Sequence, residues 1–530
     1  MDNSDVLPQL LARRAREAPD KIFALEPDGE TATRAQMNVK ALKWAGVLRD
    51  LGVDAGDTVL MMVPTSVEAV SAWIGIGWLR AIETPINTQY RGEMLSYALE
   101  DSHAKVMITH KQYLEQIGDV IEHCPRVETV IVLGTDGATT KLSGIAVHSA
   151  ETLLNDAVPL AETELIPPTR DDIAAIIYTS GTTGPSKGVM VPWGQLYTMA
   201  HWAPLHRDVG AEDRIYAPFP FFHTTIKSPV YAMAQAGGSV LIHEKFSSKT
   251  YWQNVRAYDC TVGLLLGGMG RVLSLIPESP GDSDTPMKLV VMVPPIVDVH
   301  DFERRFGLRA GTIFGMSEVS TPLLTLDWNI TDPASCGQPR PGCEVKIIDP
   351  DGNQVDPGVI GELIVRSENS WEMNKGYWNK PEATKAAWSD GWFHTGDAFR
   401  RDEDNNYFYV DRFKDAIRRR GENISSVEVE NVVSTHPGVE MVAALGVPAE
   451  HGDEDVKIVV KRLPGSDFDA QSLIDYLTPK LPRFMVPRYV EFVDEMPMTV
   501  TQKIRKVDLR KQGVTADTWD REQAETTAVR

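Results

Sequence analysis

The chain has 530 residues, 42% of them hydrophobic and 24% charged, which is the composition of a globular protein with more than one domain. Its net charge of −21 argues against nucleic acid or an anionic membrane as the main partner. Residues 412–530 hold 18 Lys/Arg and 20 Asp/Glu, so nearly all of the acidity belongs to the larger N-terminal part. The four cysteines form no C-x-x-C pair, and no apolar signal or transmembrane segment is predicted, which together indicate reduced thiols in a cytoplasmic protein.

Strands and helices alternate over the first 310 residues. Helical spacing of apolar residues predicts a helix over 34–51, and Thr65-x-x-Glu68 is a capping box that predicts the start of another. Further helices are predicted near 192–206 and over 298–306. Apolar runs of strand length lie between them, at 58–63, 82–86, 104–109, 174–177, 239–243, 261–266 and 289–293. This alternation predicts two successive, doubly wound α/β units with parallel sheets.

The pattern changes in the last 190 residues. From Cys343, short strands separated by Asp/Pro/Gly turns predict a small β-rich subdomain. Past Asp411 a second capping box, Ser425-x-x-Glu428, opens a helix that ends near His436. Mixed elements then predict a small α+β domain, with strands over 441–447, 456–461 and 489–493, a helix over 470–477 and a polar tail past Leu509. We therefore predict an N-terminal domain of residues 1–411 and a C-terminal domain of residues 412–530.

One loop carries the strongest chemical signal, Tyr178-Thr-Ser-Gly-Thr-Thr-Gly-Pro-Ser-Lys-Gly-Val-Met190. Its glycines at 181 and 184 let the backbone approach a ligand, and successive N–H groups in such a loop form an anion-binding concavity. The hydroxyls donate to phosphate oxygens, and Lys187 adds a positive charge. The spacing differs from that of the Walker loop. A generic loop of this composition is usually a surface hairpin, but this one suits a polyphosphate.

This string resembles the phosphate loop of the adenylate-forming superfamily, which includes acyl-CoA synthetases, carrier-protein adenylation domains and beetle luciferases. The other motifs of that superfamily follow in order between residues 178 and 505. The resemblance implies a mobile C-terminal domain and a loop that grips the β- and γ-phosphates of ATP. Lys187 is then a catalytic residue, and the other ATP contacts of the loop are Thr179, Ser180, Gly181, Thr182, Thr183 and Gly184.

The string Phe314-Gly-Met-Ser-Glu318 resembles the adenine motif of the superfamily. The resemblance places Phe314 and Gly315 at adenine and Ser317, which replaces the usual Thr, at the α-phosphate. It makes Glu318 the ligand of Mg²⁺, an ion that usually takes one protein carboxylate together with substrate phosphates.

Motifs near the domain boundary resemble those for ribose binding and domain rotation. Asp397, in Trp392-Phe-His-Thr-Gly-Asp397, and Arg412 are the implied ribose contacts, and Lys414 is the implied hinge. The resemblance also implies a loop for coenzyme A and thioester formation, made by Arg420, Gly421 and Glu422.

The last motif, Pro497-Met-Thr-Val-Thr-Gln-Lys-Ile-Arg505, resembles the one that carries the adenylation lysine, here Lys503. Gln502 stands where the family usually has Gly.

The acyl pocket is predicted from strings at positions that the family uses for it, and its residues are Phe222, His223, Gly267, Gly268, Met269, Val293 and Met316. Two of these are glycines, which either make room for a bulky acid or form a plain turn. Val291-Met-Val-Pro-Pro295 replaces the family's Gly-Gly-Ala-Pro, so acyl selectivity cannot be carried over.

Together these motifs predict an AMP-forming acid–CoA ligase that uses ATP, Mg²⁺ and coenzyme A. The C-terminal motif and the spacing resemble most the crotonobetaine/carnitine-CoA-ligase-like group. We expect a non-aromatic acid, either bulky (alicyclic or terpenoid) or carnitine-like, and a possible homodimer. Transfer to another acceptor such as a carrier protein is an alternative. Three other functions are less favoured. Amino-acid adenylation would need an acidic residue in the acyl pocket, and none is present there; a luciferase-like oxygenase lacks any feature that indicates O₂ chemistry. A non-catalytic nucleotide sensor is disfavoured because Glu318, Asp397 and Lys503 are all present.

Overall fold

The first 311 residues contain two seven-stranded sheets. The computed structural model describes residues 1–135, 142, 144–179, 186–202, 208–412, 417–419, 422–449, 454–499 and 504–528. The first sheet has the order β7-β6-β5-β3-β4-β8-β9, and all of its pairs are parallel except the β8/β9 hairpin. Its strands are β3 (Thr58–Met62), β4 (Ile82–Pro85), β5 (Val106–His110), β6 (Thr129–Leu133), β7 (Ala146–Ser149), β8 (Ile173–Thr179) and β9 (Lys187–Pro192).

The second sheet has the order β14-β13-β12-β10-β11-β1-β2 and is parallel except for the β1/β2 pair. Its strands are β1 (Ile22–Leu25), β2 (Thr31–Thr33), β10 (Arg214–Pro218), β11 (Ser239–His243), β12 (Val262–Leu266), β13 (Leu289–Val293) and β14 (Arg309–Gly311). The two predicted doubly wound α/β units are thereby confirmed.

Helices cover these sheets in two hydrophobic cores, a large one to which both sheets contribute and a smaller one on one face of the first sheet. They are α1 (Leu7–Glu17), α2 (Arg34–Asp50), α3 (Val67–Trp78), α4 (Gly92–Asp101), α5 (Leu114–Ile121), α6 (Ala150–Asp156), α7 (Trp193–Trp202), α8 (Thr224–Ala236), α9 (Tyr251–Ala257), α10 (Gly267–Ser274) and α11 (Val299–Phe306). Helix α3 packs closely on α2, because a Cβ at Gly75 would lie 2.6 Å from the Cβ of Trp44. None of the helices that the structure describes is long and apolar enough to cross a membrane.

The first predicted capping box is wrong. Ser66, not Thr65, caps α3 by accepting a hydrogen bond from the Ala69 N–H at 3.1 Å. The Thr65 hydroxyl instead donates to the carbonyl of Phe219 at 2.8 Å. The Glu68 carboxylate binds the Lys40 ammonium at 2.6 Å rather than the helix end. Contacts distant in sequence therefore decide which of two adjacent hydroxyls is the cap.

A fully buried ion pair links the two α/β units. The Lys227 ammonium, on α8, lies 2.8 and 2.6 Å from the two carboxylate oxygens of Glu83, on β4. Both side chains have no exposed surface. The ammonium also lies 4.4 Å from the ring of Trp73 and 4.2 Å from that of Phe221. Burial raises the pKa of Glu83 and lowers that of Lys227, and their mutual attraction opposes both shifts.

The β-rich subdomain follows as predicted. It holds a three-stranded sheet, β15-β16-β17, and a five-stranded antiparallel sheet in the order β18-β19-β21-β20 with β22 paired to β21. The strands are β15 (Ile313–Met316), β16 (Ser320–Leu324), β17 (Gln338–Pro339), β18 (Cys343–Ile348), β19 (Gly361–Ser367), β20 (Trp388–Ser389), β21 (Trp392–Arg401) and β22 (Tyr407–Arg412), and helix α12 is Pro381–Ala387.

The small C-terminal domain has its own core and a four-stranded sheet in the order β25-β26-β27-β28. Its elements are β23 (Ile417–Arg419), β24 (Glu422–Ile424), α13 (Ser426–Ser434), β25 (Val439–Pro448), β26 (Glu454–Arg462), α14 (Ala470–Leu477), β27 (Tyr489–Val493), α15 (Lys506–Gln512), β28 (Trp519–Asp520) and α16 (Arg521–Ala528). Ser425 caps α13 by accepting from the Glu428 N–H at 3.1 Å, at the predicted position.

The segment past Leu509, predicted as a ragged polar tail, instead contains a short strand and a helix. Trp519 and Asp520 form β28, which pairs antiparallel with β27. The Arg488 guanidinium fixes this strand by donating to both carboxylate oxygens of Asp520, at 3.2 and 3.0 Å. It also donates to Asp455 on β26 at 2.9 Å.

Candidate active site

Strands β8 and β9 form an antiparallel hairpin on either side of the predicted phosphate loop. Thr179, the last residue of β8, pairs with Lys187, the first residue of β9. Ser180, Gly181, Thr182, Thr183 and Gly184 lie outside the described residues. Helix α4 supports the lower part of the hairpin, because the Tyr178 hydroxyl donates to Asp101 at 2.8 Å. Burial, and then the charge of Asp101, raise the pKa of Tyr178, so this hydroxyl stays protonated.

Glu318 lies in the turn between β15 and β16, and its side chain is buried. Its Oε1 accepts a hydrogen bond from the Tyr377 hydroxyl at 3.2 Å. Its backbone carbonyl accepts two more from Asn374, from the amide N–H at 3.1 Å and from Nδ2 at 2.7 Å. The preceding carbonyl, of Ser317, accepts from Gln195 Nε2 on α7 at 2.7 Å. The turn that carries the predicted metal ligand is thus held from two sides.

Lys187 and Glu318 meet at a single aromatic ring. The Lys187 ammonium lies 4.9 Å from the ring centroid of Tyr377, whose hydroxyl binds Glu318. The structure therefore brings together a lysine and a glutamate that are 131 positions apart in the sequence.

Phe314 lies in an aromatic cluster suited to a flat base. Its ring packs edge-on against Phe399 at 4.9 Å and stacks with Tyr409 at 6.3 Å. Gly315 follows it because a Cβ there would lie 2.6 Å from the carbonyl oxygen of Ser320. The glycine of this motif is therefore required by a close backbone approach.

Asp397 and Arg412 pair across β21 and β22, so the two predicted ribose contacts are neighbours in the sheet. The Asp397 side chain is buried, and its position is two residues before Phe399, which packs on Phe314. Cys336 is close to the same carboxylate. Burial and the negative charge of Asp397 raise the pKa of that thiol to about 12.

The predicted acyl residues come from the ends of neighbouring strands. Parallel strands β10, β12 and β13 end beside one another, and carboxyl ends of parallel strands lie at one edge of a sheet. Six of the seven predicted residues occupy these ends or lie within five positions after them, and Met316 ends β15, which follows β14. They are Phe222, His223, Gly267, Gly268, Met269, Val293 and Met316.

Within this group the individual environments differ. The Nδ1 of His223 lies 3.2 Å from the Thr225 N–H and caps α8. Met269 is buried in the core. Gly267 starts α10, where a Cβ would lie 2.9 Å from the carbonyl oxygen of Pro294. This close approach explains Gly267 by packing, while Gly268 is exposed in the first turn of the helix.

The structure describes only part of the predicted hinge, coenzyme A loop and adenylation motif. Arg412 and Glu422 lie on β22 and β24. Lys414, Arg420, Gly421 and Lys503 lie outside the described residues.

Sequence reasoning missed Tyr377, Asn374 and Gln195. The segment 374–378 pairs with β9 through hydrogen bonds between Met190 and both Gly376 (3.0 Å) and Lys375 (2.9 Å), and one between Trp378 and Gly188 (2.7 Å). For Tyr377 and Asn374 the signal in the sequence is a run of polar and aromatic residues, Asn-Lys-Gly-Tyr-Trp-Asn, which resembles an ordinary turn.

The site fits magnesium bound to a nucleotide. In the part of the chain that the structure describes, no group of three His, Cys, Asp or Glu side chains could hold a metal by itself. Mg²⁺ in nucleotide sites is usually held by one or two carboxylates and by phosphate oxygens, and the buried carboxylate of Glu318 supplies that kind of ligand.

Comparison with known proteins agrees with this geometry. The family described as "AMP-binding enzyme" matches residues 11–378, and "AMP-binding enzyme C-terminal domain" matches residues 428–503. The chain is 28% identical to a crotonobetaine/carnitine–CoA ligase of Proteus mirabilis over 496 residues, which are 90% of this chain and 92% of that protein. It is 30% identical to a feruloyl-CoA synthase of an Amycolatopsis species over 505 residues, 94% and 97% of the two chains.

Solved structures show the same architecture. The anthranilate CoA ligase AuaEII, in complex with anthranoyl-AMP, aligns with a TM-score of 0.87 at 25% identity and covers 96% of this chain and 98% of its own. ATP-bound MatB from Rhodopseudomonas palustris aligns with a TM-score of 0.84 at 26% identity, covering 97% and 99%. The chain therefore belongs to the AMP-binding enzymes of the adenylate-forming superfamily and is an ATP-dependent, AMP-forming acid–CoA ligase.

Proposed function

We propose that this ligase activates an uncharged, bulky, non-aromatic carboxylic acid. The observation that carries the proposal is the makeup of the predicted acyl residues at the ends of β10, β12, β13 and β15. Four of them, Phe222, Met269, Val293 and Met316, have apolar side chains, two are glycines, and none is a carboxylate. A cationic substrate group placed among them would lose its hydration without an opposite charge in return, which disfavours a carnitine-like acid.

The nucleotide roles rest on two groups of residues described above, Lys187 with Tyr377 and Glu318, and Phe314 with Phe399 and its neighbour Asp397. We propose that Phe314 packs on adenine and that Asp397 and Arg412 bind the ribose hydroxyls. Lys187 and the loop before it bind the β- and γ-phosphates, Ser317 contacts the α-phosphate, and Glu318 binds Mg²⁺. Bound Mg²⁺ would neutralise negative charge on the phosphates during adenylation.

The reaction takes place in two displacements. A carboxylate oxygen of the acid attacks the α-phosphorus of ATP, the bond to the β-phosphate oxygen breaks, and pyrophosphate leaves. The thiol of coenzyme A then attacks the acyl carbon, loses its proton, and AMP leaves with the former bond electrons. Positioning and charge stabilisation are sufficient for both steps, without an enzyme nucleophile. We assign charge stabilisation in the first step to Lys503.

The proposed boundary between domains, 1–411 and 412–530, is crossed by several hydrogen bonds. The Ser426 N–H donates to the Asp411 carboxylate at 3.1 Å, and Arg271 on α10 donates to the carbonyl of Ser434 at 3.1 Å. The small domain thus contacts the helix that carries the predicted acyl residues. We propose that it rotates about Lys414 between the two displacements, which brings Arg420, Gly421 and Glu422 towards coenzyme A.

Single-turnover assays of each half-reaction test these roles. Lys503→Ala should lose roughly 10²–10⁴-fold in acyl-adenylate formation, because a charge-stabilising contact is removed, yet it should still convert synthetic acyl-AMP and coenzyme A to thioester. Gly421→Leu should show the reverse pattern. If both variants damage both half-reactions equally, the proposed separation of roles is wrong.

A panel of acids tests the substrate class. Coenzyme-A-dependent AMP formation should give its highest kcat/KM with an alicyclic or terpenoid acid, and lower values with carnitine, aryl and straight-chain fatty acids. A clear preference for carnitine or crotonobetaine, or for ferulate or anthranilate, would contradict the proposal. Replacement of coenzyme A by a carrier protein in the same assay tests the alternative acceptor.

We also propose a cytoplasmic location and a homodimer. The absence of disulfides among the four cysteines agrees with a reducing compartment. Sedimentation velocity of the purified chain would show whether it is dimeric.

A further inference from the structure

We propose that Tyr377 is a positioning residue that sets the distance between the magnesium ligand and the phosphate-binding lysine. The proposal rests on the roles assigned above to Glu318 and Lys187. Three observations support it. The backbone of Tyr377 pairs with β9, the strand that begins at Lys187. Its hydroxyl binds Glu318, and its ring lies beside the Lys187 ammonium.

The backbone around Tyr377 is fixed to the strand that leaves the phosphate loop. Tyr377 lies opposite Val189 in an antiparallel bridge, and the hydrogen bonds of segment 374–378 to β9 flank it. Its own N–H donates to the Thr384 hydroxyl at 2.9 Å, at the start of the subdomain's helix α12. The position of the Tyr377 ring along β9 is therefore fixed relative to Lys187, the first residue of that strand.

The same segment also holds the turn of Glu318. Asn374 donates twice to the Glu318 carbonyl, and its own Oδ1 accepts from the Gly376 N–H at 2.7 Å. The backbone of the glutamate and the backbone of the tyrosine are thus joined through one amide side chain. A shift of either would break hydrogen bonds that are buried, which is costly.

The side chain of Tyr377 then fixes both charged groups. Its hydroxyl donates to Glu318 Oε1 at 3.2 Å, which favours this orientation of the carboxylate, and a carboxylate retains further lone pairs for a cation. Its ring face lies 4.9 Å from the Lys187 ammonium, a favourable cation–π distance. One rigid ring with two torsion angles thus sets the spacing of a carboxylate and an ammonium that bind the same triphosphate.

The hydroxyl and the ring have separable effects. Tyr377→Phe keeps the ring but removes the hydroxyl and its bond to Glu318, so it should weaken binding of Mg·ATP about tenfold, the change expected when a hydrogen bond to a charged group is lost. Binding of ATP in EDTA, where Glu318 has no metal to hold, should be unchanged. Tyr377→Leu also removes the ring under Lys187 and should weaken ATP binding with and without Mg²⁺.

Isothermal titration calorimetry on the full chain, with ATP in Mg²⁺ and ATP in EDTA, measures these effects without catalysis. Tyr216→Phe is the matched control, because it also deletes a buried tyrosine hydroxyl, which lies 3.1 Å from His243 and away from the nucleotide residues. Glu318→Asp provides a second variant with Tyr377 intact: the shorter carboxylate keeps its charge, loses the hydroxyl contact, and should show the same Mg²⁺-specific loss.

A double-mutant cycle separates positioning from general damage. If Tyr377 acts through Glu318, adding Tyr377→Phe to Glu318→Gln should cause less than a twofold further loss of Mg·ATP affinity. Wild-type affinity in Tyr377→Phe, equal losses with and without Mg²⁺, or a full additional tenfold loss in the Glu318→Gln background would each overturn the inference. If Glu318→Gln itself binds Mg·ATP as tightly as the wild type, the proposed role of Glu318 is wrong, and the inference that rests on it fails with it.

Discussion

Lys227→Met should destabilise the N-terminal domain by about 3–5 kcal/mol, because it leaves the Glu83 carboxylate buried without its partner. Both oxygens of that carboxylate lie within 2.8 Å of the ammonium in the native protein, and neither side chain is exposed. Methionine fills most of the volume of the lysine stem between Trp73 and Phe221, so a cavity contributes little to the loss. The missing charge is therefore the main cause.

Urea denaturation followed by tryptophan fluorescence measures this effect selectively, because eleven of the twelve tryptophans lie in residues 1–411. The double variant Glu83→Leu/Lys227→Met should recover most of the lost free energy of unfolding, since exchange of a buried ion pair for apolar residues is often neutral. Lys21→Met is the matched control: its partner Glu212 is 89% exposed, and loss of such a surface pair should cost less than about 0.5 kcal/mol.

The pH dependence of the single variant gives a second signature. Burial raises the pKa of Glu83 in the folded state above its ordinary value of 4.5, and the variant lacks the lysine charge that opposes the shift. A group with a raised folded pKa stabilises the protein most below its unfolded pKa and least above its folded pKa. The deficit of Lys227→Met should therefore shrink as the pH is lowered from 8 towards 5. A deficit below about 0.5 kcal/mol at pH 8, or one that grows on acidification, would refute the reasoning.

Two further predictions concern packing. Gly267→Ala should lower the free energy of unfolding by about 1–3 kcal/mol, because its Cβ would press on the Pro294 carbonyl. Gly281→Ala has nothing within 4 Å of the new Cβ and should be neutral within about 1 kcal/mol. Equal unfolding midpoints for the two variants would contradict the packing explanation. Burial is the main cause that raises the pKa of every cysteine thiol. Iodoacetamide at pH 8 should therefore label almost no cysteine in the native protein and all four in urea, as counted by mass spectrometry. Rapid labelling of any of them in the native protein would contradict the structure. The four are Cys124, Cys260, Cys336 and Cys343.

Local patterns were sufficient to predict the elements whose cause is local. The strands Ser239–His243, Leu289–Val293 and Tyr489–Val493 have the predicted bounds, because each is a short, mainly apolar run bounded by polar residues, glycine or proline. The cap of α3 was predicted one residue too early, since either hydroxyl can cap a helix and the distant carbonyl of Phe219 accepts the hydrogen bond of Thr65, which leaves Ser66 as the cap.

Long-range contacts explain what the sequence could not show. The tail past Leu509 has little apolar periodicity, and its strand forms because Arg488 binds Asp520 from another part of the chain. Tyr377 belongs to no motif identified from the sequence, and its meeting with Glu318 and Lys187 depends on the pairing of segment 374–378 with β9. The candidate site was therefore predictable where residues match a motif and not where the fold supplies their supports.

The short strand β28 has a consequence for how the small domain behaves at high concentration. It pairs with Tyr489 and Val490 on the side of β27 that would otherwise present unpaired backbone groups to solvent. An open sheet edge is a template on which a second chain can add a strand and begin to aggregate. A strand of only two residues, secured by an ion pair, leaves a short edge of its own. Residues 519–520 thus shield the part of this sheet edge at Tyr489 and Val490 from intermolecular strand addition.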